Sequence, residues 1–105
     1  MSDEMLLDLR GRFRETAQVR LGEMTSLLEQ LGNGTSDGQA IERLSRHFHG
    51  LAGMGATYGF PQVSQLGGEG EELILPLVKS GQPPDPATVE RWKAIVEEMK
   101  AELIR

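Results

Sequence analysis

Apolar residues recur at steps of three and four along four separate stretches of this chain, the period of one face of an α-helix. No stretch reads convincingly as a strand. The first helical stretch runs from about Asp3 to Leu31 and carries Leu6, Leu9, Phe13, Ala17, Leu21, Met24, Leu28 and Leu31. Asp3 is its expected N-cap. The run GNGTSDG at 32–38 ends it, because Gly and Asn accept the left-handed angles of a helix exit. The second helix is expected from Ser36 to about Ala56, opened by a capping box between Ser36 and Gln39. TYGFP follows, with Gly59 suited to a turn and Pro61 to the first position of a new helix.

The third helix is expected to turn Val63, Leu66, Gly70, Leu73, Ile74, Leu77 and Val78 toward a core. Gly67, Gly68 and Gly70 each cost a helix interior about 1 kcal/mol relative to Ala. Pro76 lacks an N–H and is expected to kink the helix. Two shorter helices broken at the glycines are the alternative. After the loop SGQPPDP, Asp85 caps and Pro86 opens the fourth helix, which shows Val89, Trp92, Val96, Met99 and Leu103. Four amphipathic helices joined by loops of about five residues predict an all-α, antiparallel up-down four-helix bundle. The 105 residues fit one domain, 1–105, with a small core.

Composition narrows the function classes. The net charge of −5 and the lack of a basic stripe exclude nucleic acid as an expected partner. There is no Cys, no apolar run long enough to span a bilayer, and no basic-then-apolar leader in MSDEMLLDLR, so a cytoplasmic location with no membrane partner is expected. A monomer is expected, with Leu7 and Ile104 as the apolar residues that would mark a dimer face instead.

Both histidines fall in one helical stretch, RHFHGLAGMGATYGF, residues 46–60. Wound at about 100° per residue, Ile41, Leu44, Phe48, Leu51 and Gly55 face the core. His47 then falls on one shoulder of that stripe, beside Ala40 and Met54, as a packing residue with its ring N–H on a backbone carbonyl. His49 falls on the other shoulder, among Ser45, Gly53 and Ala56, with no side chain one turn above it. Most surface histidines do nothing, but a neutral imidazole held on a rigid helix among small residues can attack an activated phosphoryl group. Metal ligation by the His-x-His pair is not expected, since positions two apart on a helix diverge. Gly50 and Gly53 lie off the apolar stripe, so packing explains them poorly, and such a local cost marks functional sites.

These residues resemble the histidine-containing phosphotransfer (HPt) family. Its pattern is His-x-Leu-Lys-Gly, a few small residues, then a Gly and an apolar residue opening the next helix. The chain reads His49-Gly50-Leu51-Ala52-Gly53, then Met54 to Tyr58, then Gly59-Phe60-Pro61. Val63, Leu66 and the acidic group Glu69, Glu71 and Glu72 follow, where family members often have a leucine-rich helix ending in Glu. His47 does not fit, because its +4 residue is Leu51 rather than Gly.

The resemblance implies that His49 is the phosphorylated residue, Leu51 the core residue of the motif, and Gly53 the small residue that leaves room for the phosphoryl group. Gly59 and Phe60 would shape the turn. The motif lysine is Ala52 here, and Arg46, one turn before His49, is the candidate for a compensating charge. The implied function is a phosphorelay carrier that takes a phosphoryl group from the phosphoaspartate of a response-regulator receiver domain and passes it to another receiver, or works with a hybrid sensor histidine kinase. It needs no cofactor of its own, since the divalent metal would belong to the receiver. With no phosphate-binding glycine loop, ATP-dependent autophosphorylation is not expected. Ser45, Arg46, Gly53, Ala56, Gln65 and Gly68 are the candidate contact surface, the last two from antiparallel packing. The alternative is a helical adaptor that binds a response regulator or kinase without phosphoryl chemistry.

Overall fold

The computed structural model describes residues 2–34 and 38–105, and within them every regular element is helical. Helix α1 spans Asp3–Gly32, α2 Gly38–Met54, α3 Pro61–Ser80 and α4 Pro86–Leu103. Each helix packs on its neighbours in sequence and α4 closes back onto α1, while the diagonal helices α2 and α4 meet across the core through the rings of Phe48 and Trp92. Phe13 of α1 stacks on Tyr58 of the α2–α3 turn, and the Arg14 guanidinium donates to the Leu103 carbonyl at the end of α4. At the opposite end Leu31, Gly38, Leu77 and Pro84 line one pocket. The chain therefore runs up and down as an antiparallel bundle, as expected from its periodicity.

The boundaries follow local chemistry. Ser2, not Asp3, caps α1, its hydroxyl accepting from the Met5 N–H at 3.2 Å. The expected Ser36–Gln39 capping box involves Ser36, which lies outside the described residues. Helix α2 stops at Met54, two residues before the expected Ala56, and the turn ends on Gly59 with φ +90°. Asp85 caps α4 as expected, accepting from the Thr88 N–H at 2.7 Å. That hydrogen bond holds the Asp85 carboxyl below its ordinary range.

Two expectations fail at the helix faces. Helix α1 has 30 residues against 17 to 20 for the others, so its first turns project past the bundle. Leu6 is accordingly exposed and Leu9 half-buried. In α3 the buried face is Val63, Gly67, Gly70 and Ile74, while Leu73 and Val78 are exposed and Leu66 and Leu77 half-buried. The helix is unbroken through its glycines and Pro76, which excludes the two-helix alternative. The glycines explain its rotation. A Cβ at Gly70 would lie 2.3 Å from the fully buried Phe48 ring, and one at Gly67 would lie 2.8 Å from the Ala52 nitrogen. The α2–α3 seam is thus too close for side chains on α3 at Gly67 and Gly70, and Leu73 and Val78 turn outward while Leu66 and Leu77 pack at the edge of the core.

Gly70→Ala is expected to destabilise the bundle by about 1–3 kcal/mol through overpacking, although Ala is the better helix former. Gly68→Ala, whose Cβ meets nothing within 4 Å, should instead gain up to about 1 kcal/mol. Urea titration of the two variants checks the sign. Asp85→Ala should lower the thermal midpoint. Because the Asp85 pKa is depressed on folding, this deficit should be constant above the unfolded-state pKa near ~4 and shrink as pH falls through the folded value.

Candidate functional site

Helix α2 lays its apolar stripe, Ile41, Leu44, Phe48 and Leu51, into the core, and this sets the direction of both histidines. His49 is the exposed one, with 78% of its side chain accessible. Its Nδ1 lies 2.5 Å from Glu71 Oε2 on α3. An ionised carboxylate only accepts, so Nδ1 carries a proton, and in the neutral ring the lone pair is then on Nε2. Glu71 is itself mostly covered, with 23% of its side chain accessible, so it holds the ring from a firm base. The close seam at Gly67 and Gly70 brings these two helices near enough for the pair to form.

His47 is half-buried on the opposite shoulder, as helix geometry implies, but its ring bonds side chains rather than a backbone carbonyl. Its Nε2 lies 2.9 Å from Glu23 Oε2, and its Nδ1 lies 3.1 Å from an Arg20 terminal nitrogen, both partners being on α1. Arginine only donates, so Nδ1 is the acceptor and Nε2–H donates to Glu23. Arg43 also pairs with Glu23 at 2.7 Å. The hydrogen bond from His47, with Arg43 nearby, holds the Glu23 carboxyl below its ordinary range.

An open groove of about 670 Å³ runs across this face, lined by His49, Gly50, Ser45, Arg46, Arg20, Arg43, His47, Glu23, Glu71 and Leu75. It brings Ser45 and Arg46 together with His49, as expected from sequence. Gly53, Ala56, Gln65 and Gly68 do not line it. Gly53 is exposed, with open space where a Cβ would stand. The Ala56 N–H is tied to the Ser64 hydroxyl at 2.9 Å. Gln65 is exposed and Gly68 half-buried on α3. Arg46 makes only a long 3.8 Å pair with Glu42 and is 74% accessible. Ala52 is half-buried against Gly67. Sequence reasoning missed five groove residues: Glu71, named only as part of an acidic group, and Arg20, Glu23, Arg43 and Leu75, which carry no local signal along their helices. Among the described residues no group of three or more His, Asp or Glu is arranged to hold a metal ion, and no helix is long and apolar enough to cross a membrane.

The exposed helical histidine in the four-helix frame coincides with a family match: the Hpt domain profile covers residues 8–102, nearly the whole chain. This chain belongs to the Hpt domain family. It has the family's four-helix fold, and the Hpt domain places it in histidine phosphotransfer and phosphorelay signalling, which couple such domains to receivers and kinases. No curated protein and no solved structure matches it.

Within this Hpt domain Glu71 decides which ring nitrogen carries the proton. Glu71→Ala should move neutral His49 away from the Nδ1–H tautomer, shifting its imidazole nitrogen resonances in long-range ¹H–¹⁵N spectra. Those of His47 should stay in place.

Proposed function

We propose that His49 is the phosphoacceptor and that this chain is a phosphorelay carrier between receiver domains. The observation that carries the reading is the His49–Glu71 pair. It presents an exposed imidazole with its proton committed to Nδ1 and its lone pair on Nε2. In the forward step the Nε2 lone pair attacks the phosphorus of a receiver's phosphoaspartate. The N–P bond forms as the P–O bond to the aspartyl carboxylate breaks, and the carboxylate leaves with the electron pair. The phosphorylated ring retains the Nδ1 proton, and Glu71 faces the positive charge that develops there. Attack by a second receiver's aspartate on the phosphorus reverses these events and restores the imidazole.

The docking surface we assign is the outward face of α2 and α3 around His49. Ser45 and Arg46 lie on the groove, while Gly53, Ala56, Gln65 and Gly68 form a low surround over which a receiver's helix can settle. Leu75, 43% exposed, adds an apolar edge. The receiver would bring the divalent ion. The chain itself serves as substrate and carrier, in the cytoplasm where receivers work.

Incubation with phosphoramidate, followed by intact-mass spectrometry, should add one acid-labile phosphoryl group. His49→Gln should carry none. His47→Gln should carry one at long incubation, whatever its rate. Label persisting in His49→Gln overturns the assignment. No label from phosphoramidate or from a phosphorylated receiver leaves the helical-adaptor reading in its place.

A further inference from the structure

The groove beside His49 holds a cation with no counter-charge of its own. Arg20 reaches from α1 to the outer side of α2, where its guanidinium occupies the place of a side chain at position 50. A Cβ built on Gly50 would lie 3.0 Å from the nearer terminal nitrogen and 3.2 Å from the guanidinium carbon. Among the described residues no carboxylate lies within ion-pair distance of Arg20. Its partner is Nδ1 of His47, which by the hydrogen-bond pattern is an unprotonated acceptor. Among the described residues one of its five donors is used in this way and the rest of the fork meets no acceptor.

The neighbouring arginines differ. Arg43 is committed to Glu23, and Arg46 stands largely in solvent beside Glu42. The chain Arg43–Glu23–His47–Arg20 is continuous, and its order explains the geometry: Glu23 fixes the His47 tautomer, and His47 fixes the fork. A half-buried guanidinium held by a neutral ring beside a nucleophilic imidazole is an anion site in waiting. The group that arrives there carries close to two negative charges.

Resting on the reading of His49 as phosphoacceptor, we propose that Arg20, laid across Gly50 and oriented by His47, binds the phosphoryl group during its transfer to His49 and while it resides there. Gly50 is part of this site because only a residue without a side chain leaves the guanidinium its place. As Nε2 attacks phosphorus and the bond to the leaving group breaks, the phosphoryl oxygens take hydrogen bonds from the free donors of the fork. No proton moves through Arg20.

The test measures the rate of phosphoryl incorporation from phosphoramidate, in which ammonia leaves, for the parent chain, Arg20→Ala, Gly50→Ala, Arg12→Ala and His49→Gln. Arg12 is an exposed residue of α1 paired with Asp8 and controls for net charge. Arg20→Ala and Gly50→Ala should each slow incorporation by about tenfold, the size of one charge-assisted hydrogen bond. Arg12→Ala should match the parent. Gly50→Ala should melt no lower than the parent, since Ala favours the helix and the Arg20 tip can swing aside, so its slow rate cannot be a folding defect. Parent-like rates in Arg20→Ala and Gly50→Ala, with His49→Gln unlabelled, overturn the role of Arg20 and leave the carrier reading standing. Equal slowing in Arg12→Ala also overturns it, as a net-charge effect. Label in His49→Gln, or none on the parent from either phosphoramidate or a phosphorylated receiver, overturns the carrier reading and this inference with it.

Discussion

The contact between Phe48 and the glycine face of α3 is the constraint from which the rest of the site follows. Phe48 is fully buried, and Gly70 meets its ring where any side chain would collide. Gly67 lets the α3 backbone close onto Ala52 and the Phe48 carbonyl. Helix propensity alone opposes two glycines in one helix interior, so their presence reflects the gain from this approach. It sets the distance between α2 and α3, and with it the reach from Glu71 to His49. A wider seam would leave the imidazole free to rotate and either nitrogen free to hold the proton.

The same helix serves two purposes from two flanks. On the α3 side a carboxylate fixes the tautomer of an exposed ring. On the α1 side a half-buried histidine accepts from an arginine and donates to a glutamate. Two imidazoles two positions apart thus have opposite tautomers because their partners differ in chemistry. Acid groups meet Nδ1 of one and Nε2 of the other. The short spacing between them is a consequence of helix geometry, which sends neighbouring positions to different elements.

Much of this architecture was legible in the sequence. Steps of three and four gave the four helices, and Asp85-Pro86 marked the start of α4. The shoulder positions of His47 and His49 followed from the apolar stripe of Phe48 and Leu51. What was not legible depended on relations between helices. The inward face of α3 is selected by close approach, not by apolarity, so periodicity places Leu73 and Val78 on the wrong side. The start of α1 has a helical apolar face but no neighbour to cover it, so Leu6 was expected inside. Glu71 and Arg20 reach the groove from separate helices, and no spacing along one segment connects them to His49. Packing along α2 explains Gly50 poorly, and its neighbour across space, Arg20, supplies the reason.

The core also carries an optical consequence. Trp92 is the only tryptophan of the chain. It is fully enclosed, its ring 6.4 Å from that of Phe48. A lone indole in such surroundings emits at short wavelength, and its signal tracks the fit of α4 against α2. It does not touch the groove surface. The protein therefore contains a fluorophore that reads whether the scaffold is intact, separately from any event at His49.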